Sequence, residues 1–309
     1  MDNRDIRLPD LARAAGVSVA TVSRVLGGRG RVADATAAKV RDAVERLGYS
    51  RSTLLPESPS RLIAVLLPPA AAGWQVETAA ALTHAVAAAG HVAVSGSAAG
   101  TACAAWLGFD APELPDGYAG PVAHLGDAVE IASGLGDALR HLAALGHRRV
   151  GLVTQDGALG AACRDAFLAS HPSAGHVKPA DLARWIVPTA NDESAGGRAM
   201  RELLDSTCTA VVCSTDAQLF GALDAVRAVK LSVPRDVSVL GIGDDPRMPF
   251  TGPAATMVRI DPAAVADTVL RSVLAAIAGS GEPGSPVQPA AAPAELIVRS
   301  STGPARGVR

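Results

Sequence analysis

The sequence lacks the patterns that would place the chain outside the cell or in a membrane. Its four cysteines form no CxxC pair and no histidines cluster with metal spacing, so we expect free or buried thiols in a reducing cytoplasm. No apolar run approaches the ~20 residues that a membrane-spanning helix needs, and the charged start, Met1 to Asp5, is not typical of a signal peptide. We therefore predict a cytoplasmic protein with no membrane partner; the cysteines are Cys103, Cys163, Cys208 and Cys213.

Enzyme signatures are missing as well. The chain has no GxSxG or HExxH motif, and its seven histidines are scattered without ligand spacing. Two short Gly-x-Gly triplets, at 134–136 and 241–243, lack the spacing and context of a dinucleotide loop. The pair Asp244-Asp245 could serve as two catalytic carboxylates, but a charged loop is the favoured interpretation. We predict that the protein is not an enzyme and holds no metal and no cofactor.

The near-neutral charge, −2 overall, conceals an asymmetry between the two ends of the chain. Residues 1–55 hold ten lysines and arginines against six acidic residues, whereas the remainder holds 18 against 24. Only the front of the chain therefore has the sign that a polyanion attracts. A chain of 309 residues also exceeds one typical domain, which indicates a small basic module followed by a larger acidic body.

The basic front has the pattern of a helix-turn-helix. Leu8, Leu11, Ala12 and Ala15 follow the i, i+3, i+4, i+7 spacing of one apolar helix face, and Gly16 ends that helix. Ser18 has the chemistry of an N-cap for a second helix over 19–26. Two short helices joined by a tight glycine-containing turn are typical of this motif, in which the second helix enters the major groove. A third helix is predicted over about 34–47.

The second helix has residues suited to contacting DNA. Ala20 is small enough for close approach, Thr21 and Ser23 provide hydroxyls, and Arg24 is the only long donor, able to bond guanine bidentately or to hold a phosphate. The flexible turn that follows contains Arg29 and Arg31, which could lie against the DNA backbone.

This stretch, from Val17 to Leu26 with Thr36, Val40 and Leu47-Gly48-Tyr49, resembles the headpiece of the lactose-repressor (LacI/GalR) family of bacterial transcription regulators. The resemblance implies that Val19, Ala20 and Arg24 contact bases, and that Ser18, Thr21, Ser23 and Tyr49 contact phosphates or order the headpiece. The alternative is another small helical domain in which these are ordinary capping and core residues. Residues 50–60 depart from the family's hinge helix, because Pro56 and Pro59 interrupt them.

Beyond the linker, strand and helix patterns alternate, beginning with the apolar run Leu62 to Leu67. Such alternation predicts parallel sheets covered on both faces, with ligands at the carboxyl ends of the strands. Compared with the family that the headpiece resembles, the stretch between Gly90 and Asp127 is too short for the two strand–helix units usual there, so the resemblance implies that one helix is lost or reduced.

The resemblance extends into this body through His141-Leu142, Leu145 to Val150, Asp216 with Gly221, Val233 to Val239, and the closing run Glu295 to Thr302. It implies an all-α helix-turn-helix headpiece followed by an α/β periplasmic-binding-protein-like body of two parallel-sheet subdomains, with an effector in the cleft between them. The predicted domains are a headpiece at 1–50, a linker or degenerate hinge at 51–60, a shortened N-terminal subdomain at 61–147 with 262–291, and a C-terminal subdomain at 148–261 with 292–303.

The cleft is where the resemblance is weakest. Cys163 and Gly243 stand where sugar-binding members place an arginine and an aspartate, and Arg164 and Asp244 are next to them. A shift of one residue along a helix turns a side chain by about 100°. For each candidate, a solvated or structural polar role is the competing interpretation. The candidate effector contacts are Asp216, Asp244, Gln155, Arg164 and Trp185.

Two hypotheses follow from the sequence. The first is a homodimeric, sequence-specific repressor that binds a palindromic operator in double-stranded DNA and is controlled by a small-molecule effector, possibly a carbohydrate. The second is an effector-blind regulator, or a small-molecule-binding module, whose altered cleft no longer switches DNA binding.

Overall fold

The computed structural model describes residues 8–19, 21, 22, 25, 33–47, 61–67, 71, 73–95, 103–109, 118, 120–279 and 286–306. The chain divides into two compact units, Met1–Pro59 and Ser60–Arg309. We call them the headpiece unit and the body.

The headpiece unit contains helices over Leu8–Ala15 and Asp34–Leu47, and Val19, Thr21, Val22 and Val25 between them are also helical. Its first helix ends as predicted: Gly16 has a φ of 65°, and the Val17 amide donates to Ala12 O at 3.0 Å. This hydrogen bond satisfies a carbonyl at the helix end and turns the chain toward the second helix. The small core of the unit consists of Leu11, Ala12, Ala15, Val22, Val40 and Ala43.

The smaller sheet of the body has five parallel strands in the order β11-β4-β3-β1-β2. Its strands are β1 (Leu62–Leu66), β2 (Val92–Ser95), β3 (Ala105–Gly108), β4 (Val122–His124) and β11 (Pro286–Val287). Helices α1 (Trp74–Ala88) and α7 (Pro262–Ala278) pack against each other beside it. As expected for a shortened unit, the described residues between 92 and 124 form three strands and no helix.

The larger sheet has seven strands in the order β5-β12-β10-β9-β8-β6-β7. Its strands are β5 (Val129–Glu130), β6 (Val150–Thr154), β7 (Ile186–Pro188), β8 (Ala210–Cys213), β9 (Ser238–Gly243), β10 (Thr256–Ile260) and β12 (Ala292–Ile297). The helices between them are α2 (Ile131–Ala144), α3 (Ala158–Ser170), α4 (Pro179–Leu182), α5 (Glu193–Asp205) and α6 (Asp216–Ala228), with short 3-10 turns at Leu125–Ala128, Ala183–Trp185 and Met248–Phe250.

The predicted alternation of strands and helices is confirmed, with two differences. Strand β12 runs antiparallel to β10, so the larger sheet is mixed rather than purely parallel. Helix α2, predicted to belong to the N-terminal subdomain, packs instead on the larger sheet and against α3. An added Cβ at Gly134 in α2 would lie 2.7 Å from side-chain atoms of Val258 and Ala294. The chain therefore passes from the smaller sheet to the larger near Ala128, earlier than the expected boundary at 147.

A buried histidine joins the last residues of the body to the larger sheet. His147 Nε2 lies 3.0 Å from both Ser238 Oγ and Gly303 O, and Nδ1 lies 2.9 Å from Thr209 Oγ1. Burial lowers the pKa of His147, although the hydrogen bond to Gly303 O opposes that effect. Folding therefore favours the neutral form of the His147 imidazole ring.

We expect this histidine to make the body acid-sensitive. The folded-state pKa of His147 is lowered from 6.5, so above pH 6.5 this residue does not reduce the free energy of unfolding. As the pH falls below 6.5, the unfolded chain takes up the proton first, and the free energy of unfolding declines as the pH falls through the folded-state pKa. Urea unfolding between pH 7.5 and 5 should show this decline, and His147→Gln should reduce it. The exposed His84 provides the control, since His84→Gln should leave the slope unchanged.

Candidate functional site

The structure places part of the predicted DNA-contacting set on the surface of the headpiece unit. Ser18 caps the second helix as predicted: its Oγ accepts a hydrogen bond from the Thr21 amide at 3.1 Å and lies 2.8 Å from Thr21 Oγ1. Val19, in the first turn, is exposed, whereas Val22 on the opposite side is fully buried. Of the described residues in this helix, Val19 therefore faces away from the headpiece core and Val22 faces into it. The other candidates lie outside the described residues: Ala20, Ser23, Arg24, Arg29, Arg31 and Tyr49.

In the body, a layer of polar groups spans the carboxyl ends of β6, β7 and β8. The backbone amide of Gln155, the residue directly after β6, donates a hydrogen bond to Ser214 Oγ at 3.2 Å. Ser214 Oγ donates in turn to Gln218 Oε1 at 3.1 Å, and Gln218 Nε2 donates to Ala190 O at 3.3 Å. These bonds fix the chain at the sheet edge where ligands bind in open α/β folds.

Asp216 lies at the centre of this edge. It is the first residue of α6, whose N-cap is Thr215, and it is 3 % exposed. Its Oδ1 accepts from the amides of Asp244 and Asp245 at 3.3 and 3.2 Å. Burial raises the pKa of Asp216 to about 6, while the two amide hydrogen bonds act in the opposite direction and the charge of Asp245 adds to the increase.

The start of α1, beside the smaller sheet, faces Asp216 from across the cleft. Gly73 has a φ of 54°, and an added Cβ there would overlap Asp216 Oδ2. The Trp74 ring is buried edge-on against Phe109, with centroids 5.4 Å apart. Burial raises the pKa of Glu77, and the charges of Asp245 and Asp244 raise it further. The two sheets therefore share one site at their carboxyl ends.

Two ion pairs occupy the loop that follows β9. Arg299 holds Asp244 with Nη1 and Nη2 at 2.7 and 2.9 Å from the two carboxylate oxygens. Arg247 holds Asp245 in the same two-pronged way at 2.8 and 2.7 Å, and its guanidinium lies 4.8 Å from the centre of the Phe220 ring. The Asp244 carboxylate, considered from the sequence as an effector contact, is thus already bound by a side chain that the sequence did not point to.

Trp185 lies at the wrong edge of the sheet to contact an effector in this cleft. It directly precedes β7, which runs parallel to β6, so it is at the amino end, opposite Gln155. Its ring packs on His171, with centroids 5.3 Å apart, and His171 Nε2 donates to Val150 O at the start of β6. These contacts support the competing interpretation of Trp185 as a packing residue.

Of the five effector candidates, the structure gathers Gln155, Asp216 and Asp244 at one edge. Cys163 is fully buried, and burial raises the pKa of its thiol to about 12. Its neighbour Arg164 is half-buried on α3 and hydrogen-bonds to no other described residue. Sequence patterns gave no indication of a role for Gly73 or Glu77, and Arg299 was noted only as part of the closing run 295–302, because each acts through contacts between distant segments.

None of the helices in the described part of the chain combines the length and apolar composition that a membrane crossing requires. Two family models match the chain. One, described as "Bacterial regulatory proteins, lacI family", matches residues 7–52. The other, described as "Periplasmic binding protein-like domain", matches residues 139–302. The first covers the helix-turn-helix, and the second covers most of the larger sheet with its helices.

Two relatives match the chain along almost its whole length. The chain is 31% identical over 343 aligned positions to the HTH-type transcriptional regulator MalR of Streptomyces coelicolor, covering 98% of each chain. It is 32% identical to the HTH-type transcriptional regulator reg1 of Streptomyces lividans, again covering 98% of each. Among solved structures, a transcriptional regulator CelR–cellobiose complex (TM-score 0.63) and a lac repressor dimer bound to operator and an anti-inducer (TM-score 0.66) each share 22% identity and the fold, covering 96% of this chain and 99% of theirs.

Proposed function

The chain belongs to the LacI family of bacterial regulatory proteins, and from this we propose that it is a homodimeric repressor whose headpiece binds a palindromic operator and whose cleft binds a sugar-like effector. As a member of this family it is a DNA-binding transcription regulator. The observation that carries the proposal is the Ser18-capped helix, which presents Val19 outward from a separate basic unit.

Two copies are proposed because one headpiece has little charge. Residues 1–55 have a net charge of +4, and each phosphate that a protein neutralises releases counterions. Two headpieces on a two-fold symmetric site double that contribution and fix the half-site spacing. Binding to a palindromic site should therefore fall steeply with salt, and a single half-site should bind far more weakly.

The effector is proposed to bind at the carboxyl ends of the two sheets. Asp216 and the start of α1 at Gly73 meet there, Gln155 follows the end of β6 at the same edge, and a regulator of the same fold was solved with cellobiose. An effector-blind regulator is the second candidate. Two observations favour it. The Asp244 carboxylate is paired with Arg299 and the Cys163 thiol is buried, so neither Asp244 nor Cys163 is available to a ligand. Calorimetry with a carbohydrate panel separates the two, since the second predicts no heat.

We expect Arg24→Ala to cost about 1 to 3 kcal/mol at a guanine-containing operator, or roughly 5- to 150-fold in Kd. Fluorescence anisotropy with operator and scrambled duplexes measures both affinities. Arg13→Ala is the matched control, because Arg13 is exposed on the first helix and pairs with Asp10. This variant should lose affinity for both duplexes equally and only slightly. Equal losses for Arg24→Ala on the two duplexes would assign Arg24 to a phosphate instead of a base.

A further inference from the structure

The two halves of the body touch through the carboxylate of Asp216. We call the smaller sheet with α1 and α7 the small lobe, and the larger sheet with its helices the large lobe. Asp216 begins α6 in the large lobe and lies against Gly73, which directly precedes α1 in the small lobe, because an added Cβ at Gly73 would overlap Asp216 Oδ2. The backbone amide of Trp74, the first residue of α1, also approaches this carboxylate. Asp216 therefore lies in the contact between the lobes, where it is 3 % exposed.

The backbone that joins the lobes is suited to a hinge. The chain passes from the small lobe to the large lobe near Ala128, returns between β10 and α7 at Asp261, and crosses again over residues 288–291 between β11 and β12. Lobes joined by a few short connections can rotate relative to each other while each keeps its own core. The contact around Asp216 can therefore open without unfolding either lobe.

The closed contact removes the Asp216 carboxylate from water and replaces that water incompletely. Oδ1 accepts hydrogen bonds from the amides of Asp244 and Asp245, whereas Oδ2 meets hydrogen-bond geometry with none of the described residues. Burial raises the pKa of Asp216 from 3.8 to about 6, and the amides, with that of Trp74 contributing least, oppose this rise without cancelling it. The closed arrangement therefore binds a proton at Asp216 more tightly than an open, hydrated one does.

The charged groups around Asp216 do not offset its charge. Arg299 binds both oxygens of Asp244, and Arg247 binds both oxygens of Asp245, so each guanidinium is paired with another aspartate. The remaining nearby groups are acidic. The charged groups that surround Asp216 are Asp244, Asp245 and Arg247 in the loop after β9, Arg299 after β12, Glu193 at the start of α5, and Glu77 in α1.

We propose that closure of the two lobes is coupled to the uptake of one proton by Asp216 at Oδ2, so that acid favours the closed arrangement and the charged carboxylate favours its opening. The proton comes from solvent and returns to solvent when the lobes separate and water hydrates the carboxylate. This inference goes beyond the proposed function, because the coupling needs neither DNA nor an effector.

Distances between two spin labels test this coupling in the full chain. Labels at Ala80→Cys in α1 and Arg198→Cys in α5 report the separation of the lobes, because both positions are exposed in the second turns of helices that begin at the cleft. The four native cysteines are buried, and dilution with unlabelled chain restricts the measurement to pairs within one chain. With a pKa of about 6 in the closed arrangement and 3.8 in the open one, the ratio of short to long distances should rise about tenfold between pH 7.5 and 5.

Substitutions identify the group that takes up the proton. Asp216→Asn should keep the short distance at every pH, because the amide cannot ionise, whereas Asp224→Asn, at an exposed position of the same helix, should retain the tenfold change. Glu77→Gln and His124→Gln test the other titratable groups at this edge, in α1 and at the end of β4. The proposal is overturned by distances that do not change with pH, by a change that survives Asp216→Asn, or by one that disappears with Glu77→Gln or His124→Gln.

A second pair of variants tests the contact without altering Asp216. Gly73→Ala places a methyl group where Oδ2 lies, so the long distance should persist at every pH. Gly90→Ala, at a similar positive φ but with open space around it, should behave as the unchanged chain. Circular dichroism at each pH confirms that the samples are folded. A short distance in folded Gly73→Ala would show that closure does not bring Gly73 against Asp216, which also overturns the proposal.

Discussion

Replacing Arg299 with alanine is expected to lower the free energy of unfolding of the body by about 3 to 5 kcal/mol, the range for removing one partner of a buried ion pair. The side chains of Arg299 and Asp244 are only 17% and 9% exposed. Arg299 Nη1 also donates to Ala255 O at 2.7 Å. Without the guanidinium, the Asp244 carboxylate remains buried and unpaired.

The control is a second arginine, whose ion pair with a carboxylate is exposed to solvent. Arg259 pairs with Glu295 at 2.6 Å, with the two side chains 49% and 64% exposed, so Arg259→Ala should cost less than about 1 kcal/mol. Asp244→Asn in the Arg299→Ala background should recover most of the loss, since asparagine tolerates positive φ and removes the buried charge. Urea unfolding gives the free energy of unfolding of the unchanged chain, the two single arginine variants and the double variant. Equal losses for the two arginine variants would contradict the role given to burial.

Local chemistry explains which parts of this fold were predictable. A glycine with positive φ ends the first headpiece helix at Gly16, and a serine hydroxyl begins the next at Ser18; both effects act within a few residues. The third headpiece helix, Asp34–Leu47, follows its apolar spacing to the predicted bounds. In the body, strands such as β8 are buried at every residue, which makes them continuous apolar runs in the sequence.

The parts that were not predictable depend on contacts between distant segments. Arg299 binds Asp244 across 55 positions of sequence, and no spacing rule links them. Helix α2 has an apolar face that would suit either sheet, and its packing on the larger sheet depends on the close approach of Gly134 to Val258 and Ala294. Trp185 illustrates the opposite error: its residue type suits sugar stacking, but strand direction places it at the edge away from the cleft.

Gly221→Ala is expected to destabilise the body by about 3 kcal/mol or more, at the upper end of the range for overpacking a close contact. Helices α5 and α6 touch through backbone at this point. An added Cβ at Gly221 would overlap Glu193 O and lie 2.9 Å from Gly197 N. These are backbone atoms, so no side chain can rotate to make room and α5 must move as a whole. Thermal and urea unfolding of the full chain would measure the loss.

The matched control is Gly136→Ala, another buried glycine within a helix. An added Cβ there would lie 3.4 and 3.5 Å from Arg140 Nη1 and Ser170 Oγ, which are the movable ends of side chains. Since alanine favours helix over glycine by up to about 1 kcal/mol, this variant should be neutral or more stable. Similar behaviour of the two variants would refute tight backbone contact between α5 and α6. If that contact holds, displacing α5 also disturbs the start of α6, where Asp216 lies, so Gly221→Ala should weaken effector binding although Gly221 touches no ligand.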